Sequence, residues 1–140
     1  MADPDEIHEW IKKVEEDYEG ALHLSRRGKK PLPDLVCFHS QQCAEKYLKA
    51  FLIFHDTPFP KTHDLLMLLD LSIPHHPALE LQRELFEFLN PYSVQFRYPG
   101  YETTADEANT AVSTMKEIRT LFKNCIPLNF KTKQNSISMT

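Results

Sequence analysis

From position 108 to position 125, Ala108, Ala111, Val112, Met115, Ile118, Phe122 and Cys125 recur every three or four residues with polar side chains between them. On an α-helix that spacing draws one apolar stripe, whereas the period of two in a strand would divide the same residues between opposite faces. A helix with one apolar face has to bury it against another element. The same pattern opens the chain, where Ile7, Ile11, Val14, Tyr18, Ala21, Leu22 and Ser25 keep the three and four spacing. No run alternates convincingly with the period of a strand, so stripe must pack on stripe. Local chemistry agrees at both helices. Thr104 and Glu107 have the spacing of a capping box, Asp3, Pro4 and Glu6 provide a cap, a first-turn proline and a second such carboxylate, and Gly28 closes the first helix.

Between these two lie three further segments. A second helix over 34–55 carries Leu35, Phe38, Ala44, Leu48, Phe51 and Leu52 and is apolar over much of its circumference, which makes it the central one. "TPFPK" then breaks the chain, because each proline lacks a donor and disfavours helix in the residue before it. Thr62 is placed to cap a short third helix, "HDLLMLLDLS". After "IPHHP", "ALELQRELFEFLN" reads as a fourth helix with Ala78, Leu81, Leu85 and Phe88 on its stripe, stopped by Asn90 and Pro91. Pro127 ends the last helix, and "NFKTKQNSISMT" is polar and unpatterned. The expectation is an all-α fold: an up-and-down bundle of four main antiparallel helices plus a short additional helix. It occupies one domain over 1–126, with a polar flexible tail over 127–140.

Composition narrows the function. With 16 basic and 20 acidic residues the formal net charge is −4, so the overall balance does not describe a surface built to grip a polyanion. The three cysteines, Cys37, Cys43 and Cys125, fall inside apolar helical patterns without CxxC spacing and read as reduced core residues. The N-terminus is acidic and the longest apolar runs, such as "AFLIF", are far too short to cross a bilayer, so a cytoplasmic, membrane-free protein is expected. Seven histidines include no HExxH and no pairing at zinc-finger spacing. With three glycines and no GxxxxGK[ST], GxGxxG or GxSxG, no backbone phosphate cradle of the usual form is present; no metal and no cofactor is expected.

The informative residues are therefore the polar ones within helical patterns. His39, Gln42 and Lys46 fall on one side of the second helix, with Glu45 and Lys49 on a neighbouring line. They describe either a solvated stripe with an intrahelical Glu45 to Lys49 ion pair or a polar surface facing a groove or partner. Asp17 borders the first apolar stripe, where a carboxylate needs a partner, and Lys46 and Arg97 are the candidates. Lys61, His63 and Asp64 gather at a helix start, a place that suits a phosphate, but Thr62 as N-cap and Asp64 in the first turn explain the composition in full as helix initiation, the favoured reading. "NPYSVQFRYPGYETT" sets Arg97 among Tyr98 and Tyr101, a guanidinium beside aromatic faces. The basic "RRGKK" loop reads as a solvated turn, with RNA as a possible but unsupported ligand.

In order and spacing, "FHSQQCAEKYLKA", "KTHDL" and "RYPG" resemble the HEPN domain family (higher eukaryotes and prokaryotes nucleotide-binding), in its small stand-alone prokaryotic form. The resemblance runs from about residue 5 to residue 125. It implies a helical bundle that pairs as a homodimer, and one of two roles. Some members are metal-independent ribonuclease toxins using an Arg followed after four to six residues by a His. Others are non-catalytic, binding nucleotides or working with a nucleotidyltransferase partner in a toxin–antitoxin-like pair. Here Tyr98 to Thr104 follow Arg97 with no histidine, and none of Arg26, Arg27, Arg83 or Arg119 precedes one at that distance. The expected function is a non-catalytic nucleotide-binding or partner-binding module. Its candidate ligand-binding residues are Arg97, Tyr98, Tyr101, Lys46, His39, Gln42, Lys61, His63 and Asp17. The alternatives are a ribonuclease toxin with a degenerate motif, its base His39 or His63, and a structural dimerisation module.

Overall fold

The computed structural model describes residues 3–27, 32–94 and 102–126. The expected tail, Gly28 and the Arg97, Tyr98 and Tyr101 segment lie outside them. Helix α1 (Pro4–Ser25) begins at Asp3, whose side chain accepts from the Asp5 N–H, with Pro4 in the first turn. It ends at Arg26, before Gly28. Its buried residues are Ile7, Ile11, Val14, Ala21 and Leu22, most of the expected stripe, while Ser25 is exposed. α2 (Pro33–Phe54) is buried along most of its length and packs against α1, α3, α4 and α5. It is the central helix. Leu35 and Phe38, near its start, stay half-exposed.

α1 and α2 run antiparallel, with Asp17 of α1 meeting Lys46 and the first turns of α1 lying against the end of α2. The connection after α2 doubles back along it, fixed where Gln41 donates to the His63 carbonyl. α3 (Leu65–Ser72) then descends to a 3-10 turn, Ile73–His75, which stacks His75 on His55. A second 3-10 turn (Pro77–Gln82), α4 (Arg83–Leu89) and a third 3-10 turn (Asn90–Ser93) climb back, so that Asn90 meets the start of α3.

α5 (Ala105–Cys125) carries the expected capping box between Thr104 and Glu107. It starts beside the start of α2, where the Thr103 N–H donates to Asp34 Oδ1 (3.2 Å), and ends beside Phe51. Its direction is that of α2. There Tyr47 stacks on Phe122 (5.6 Å, 4°) and Phe51 and Phe86 meet the same ring edge-on, the aromatic centre of the core. The expected stripe is buried from Ala108 to Phe122, and Cys125 is half-buried. Cys37 and Cys43 are buried, and all three cysteines are free thiols.

The all-α bundle matches the expectation, with two local corrections. The cap of α3 is Asp64, which accepts from the Leu66 and Met67 N–H groups, while Thr62 holds the Asp64 N–H. The fourth segment is partly 3-10, and its tighter winding changes the face it buries: Leu79, Phe86 and Leu89 are inside, while Ala78 is exposed and Leu81 is 83% exposed. Among the described residues there is no strand, and no helix is long and apolar enough to cross a membrane.

Candidate functional site: a polar band on the central helix

Two adjacent rows of polar side chains interrupt the apolar surface of α2. His39, Gln42 and Lys46 form one, all half-exposed, and Gln41, Glu45 and Lys49 the other, all buried. The structure thus gathers His39, Gln42, Lys46, Asp17 and His63 on a continuous face of the bundle.

In the first row Lys46 Nζ donates to Asp17 Oδ2 at 2.6 Å. His39 Nδ1 stands 3.8 Å from Asp17 Oδ1, beyond hydrogen-bond range, and is buried without a hydrogen-bond partner. The cationic partner expected for Asp17 is therefore Lys46. Burial pushes the Asp17 carboxyl up, but His39 and Lys46 outweigh it and hold the group below its ordinary value. The cluster keeps a path to solvent, with Lys46 25% and His39 32% exposed along their side chains.

The second row is built around Glu45, whose side chain is 4% exposed. Lys49 Nζ donates to its Oε2 at 3.0 Å, the expected i to i+4 pair, but in a buried setting rather than a solvated one. His63 Nδ1 lies 2.9 Å from Glu45 Oε1. The contact ties the exposed His63 ring, 68% accessible along its side chain, to the buried acid. Gln41 Nε2 donates to the His63 carbonyl (3.0 Å), and Gln42 Nε2 donates to Gln41 Oε1 (3.0 Å). This chain of donors and acceptors couples the two rows and pins the connection that carries His63. Lys61, two residues earlier, is exposed.

The start of α3 is not a phosphate cradle. Its Leu65 N–H is taken by Asn90 Oδ1 (2.8 Å), those of Leu66 and Met67 by Asp64, and that of Leu68 by the Asp64 carbonyl. Helix initiation accounts for Asp64 in full.

A third polar cluster was not anticipated. Arg119 of α5 grips Glu15 of α1 with both ends of its fork (Nε to Oε2, 3.0 Å; Nη2 to Oε1, 2.6 Å), while the Tyr47 hydroxyl donates to Oε2 at 2.7 Å. The Arg119 guanidinium lies 4.4 Å over the Tyr18 ring. Burial raises the Glu15 carboxyl, and the bonds from Arg119 and Tyr47 outweigh it and bring the group below its ordinary value. The same bond to Glu15 raises Arg119, while burial chiefly raises Tyr47. Glu15 and Arg119 each adjoin a core position, Val14 and Ile118, which is the one trace of this pair in the sequence.

By fold the chain is an all-α bundle whose central helix carries a half-exposed band of paired charges. More narrowly, the chain belongs to the HEPN domain family, whose model matches residues 7–125. It is similar to the crystal structure of ST0689, an archaeal HEPN homologue, with a TM-score of 0.59 and 27% identity over 84% of this chain and 95% of that one. Among curated proteins none matches it.

Proposed function

We propose that this chain is a non-catalytic HEPN module that binds a nucleotide through the polar band of α2, as a homodimer beside a small nucleotidyltransferase in a toxin–antitoxin-like pair. The observation that carries the reading is the half-exposed Lys46, Asp17 and His39 cluster one helical row from Glu45 and His63. An ammonium has three N–H donors, and Asp17 takes one, which leaves donors for phosphate oxygens. The Gln42 amide and the exposed His63 ring suit the edge of a base. Arg97, Tyr98, Tyr101 and Lys61 complete the proposed ligand set, a guanidinium and an ammonium for phosphate and two rings for stacking.

Binding is favoured over cleavage by the sequence, in which no histidine occurs between Arg97 and Thr104. Metal-free cleavage of RNA needs a base for the 2′-OH and a cation for the phosphate, and the family's usual pairing of the two is not spelled out. One observation favours a second reading, a ribonuclease toxin with a degenerate motif: an imidazole, His39, stands 3.8 Å from the Asp17 carboxylate and beside the Lys46 ammonium that the same acid holds, a base and a cation in one cluster.

The test is calorimetric titration of the full chain with ATP, GTP, their diphosphates and short RNA, alongside Lys46→Ala and Arg97→Ala. Saturable nucleotide binding is expected, weakened about tenfold in each variant, which corresponds to about 1.4 kcal/mol. RNA recovered intact supports the module; RNA cleaved by the wild type and spared by His39→Ala establishes the ribonuclease instead. A folded protein that binds none of these ligands overturns the nucleotide reading and leaves the protein partner.

A further inference from the structure

Where α2 and α5 begin side by side, a cavity of about 270 Å³ is lined by Leu32, Pro33, Asp34, Leu35, Glu102 and Thr103. Thr103 is only 5% exposed, and its Oγ1 is buried with no hydrogen-bond partner among the described residues. An unpaired buried hydroxyl is a cost that a valine of the same shape would avoid. Folding alone therefore does not call for a threonine here. The start of α2 leaves further polar groups over. Its N-cap, Leu32, has no side-chain acceptor, Pro33 has no N–H, and the first helical bond runs from the Val36 N–H to the Leu32 carbonyl (3.1 Å). The N–H groups of Asp34 and Leu35 thus find no carbonyl within the helix. Asp34 does not cap them either, because its Oδ1 accepts from the Thr103 N–H across the cavity.

Around the orphaned hydroxyl the cavity therefore combines N–H donors, the carboxylate acceptors of Asp34 and Glu102, and apolar walls from Leu32, Pro33 and Leu35. Two carboxylates repel a phosphate, so the N–H groups and the hydroxyl are matched by a neutral carbonyl instead. The volume lies below the roughly 300–1,000 Å³ of pockets for drug-sized molecules and suits one flat ring system. A carbonyl with N–H donors beside it on a flat ring is the Watson–Crick edge of guanine. We infer that this cavity binds a guanine base, its O6 met by the helix N–H groups and the Thr103 hydroxyl, its N1–H and 2-amino group by the carboxylates of Asp34 and Glu102. Adenine sets an acceptor nitrogen, N1, where a carboxylate repels it, and uracil lacks the second donor. The inference goes beyond the nucleotide reading and does not rest on it, since it asks nothing of Lys46 or the polar band.

Guanosine, which carries no phosphate, is the probe, titrated calorimetrically into the full chain beside inosine, which lacks the 2-amino group, and adenosine. Saturable guanosine binding is expected, about tenfold weaker for inosine and at least about a hundredfold weaker for adenosine. Thr103→Val should weaken it about tenfold without lowering the melting temperature, because the hydroxyl it removes has no partner to lose in the unliganded protein. Asp34→Asn keeps an oxygen for the Thr103 N–H and should abolish the preference for guanosine over inosine, whereas Asp106→Asn, at an exposed position, stays within about twofold. Uridine hexamers with and without one guanine then compete with guanosine. Displacement by the guanine-bearing strand alone supports the pocket with RNA as the source of the base, and displacement by neither supports it with a free nucleoside or nucleotide. Displacement by both overturns it. No saturable binding by the folded wild type, equal affinity for guanosine and adenosine, or full affinity in Thr103→Val also overturns the site.

Discussion

Glu15 is where three helices share one charge. Arg119 reaches it from α5 with both ends of its fork, Tyr47 from α2 with its hydroxyl, and all three side chains are largely removed from water. Removing the acid alone leaves a guanidinium and a buried phenol without their acceptor, and the cost is set by those orphaned donors more than by the lost bonds. Glu15→Ala is expected to destabilise the fold by about 2–3 kcal/mol in urea denaturation. The Glu15 and Arg119 double-mutant cycle should couple by more than about 1 kcal/mol, whereas the solvent-screened Arg83 and Glu80 pair should couple more weakly than the Glu15 pair. Equal coupling in the two cycles would mean that burial adds nothing at Glu15. Asp17 shows the complementary case, a carboxylate whose need for a partner was legible from its place beside the apolar stripe. The choice of Lys46 was not, because it depends on how α1 and α2 are rotated against each other.

At the scale of elements, α5 shows how far local signals reach. Its start is fixed by the reciprocal bonds of Thr104 and Glu107, and its stripe by positions that remain buried from Ala108 to Phe122. Thr104→Ala should cost about 1 kcal/mol, measured by urea denaturation, with the far-UV helical signal unchanged in the folded baseline. A cost near zero would show that Glu107, which also accepts from the Tyr92 hydroxyl, holds the helix start without the box. The three long helices were legible in this way, as was the row of His39, Gln42 and Lys46. α4 was not, since a single helical period does not hold across a segment whose first five residues wind as a 3-10 turn; Leu81, expected inside, is on the surface. Nor was the burial of Glu45, whose pairing with Lys49 follows from spacing but whose cover comes from the connection that brings His63 back over α2.

Taken as a whole, the molecule joins the end of α2 to the 3-10 turn after α3 through a stack of imidazoles. His55 and His75 lie parallel with ring centres 4.4 Å apart, Phe51 packs against both, and Thr57 Oγ1 bonds His75 Nε2 at 2.6 Å. Burial holds His55 below its ordinary value of 6.5, His75 and His76 push the same way, and Asp56 opposes them. The folded state thus takes up this proton later than the unfolded chain as pH falls. Its contribution to stability is complete above about pH 6.5 and is lost progressively below it. Glu15 and Asp17, both held below their ordinary values, act in the same sense further down, where carboxylates titrate. Melting temperature measured at constant ionic strength from about pH 8 to about pH 5 should therefore stay level and then fall through a first step, with a second at lower pH. His55→Gln, which cannot charge, should remove the first step and leave the second. A wild-type profile flat to about pH 5, or a first step that survives in His55→Gln, would transfer the titration to another group and detach it from the contact that closes this end of the bundle.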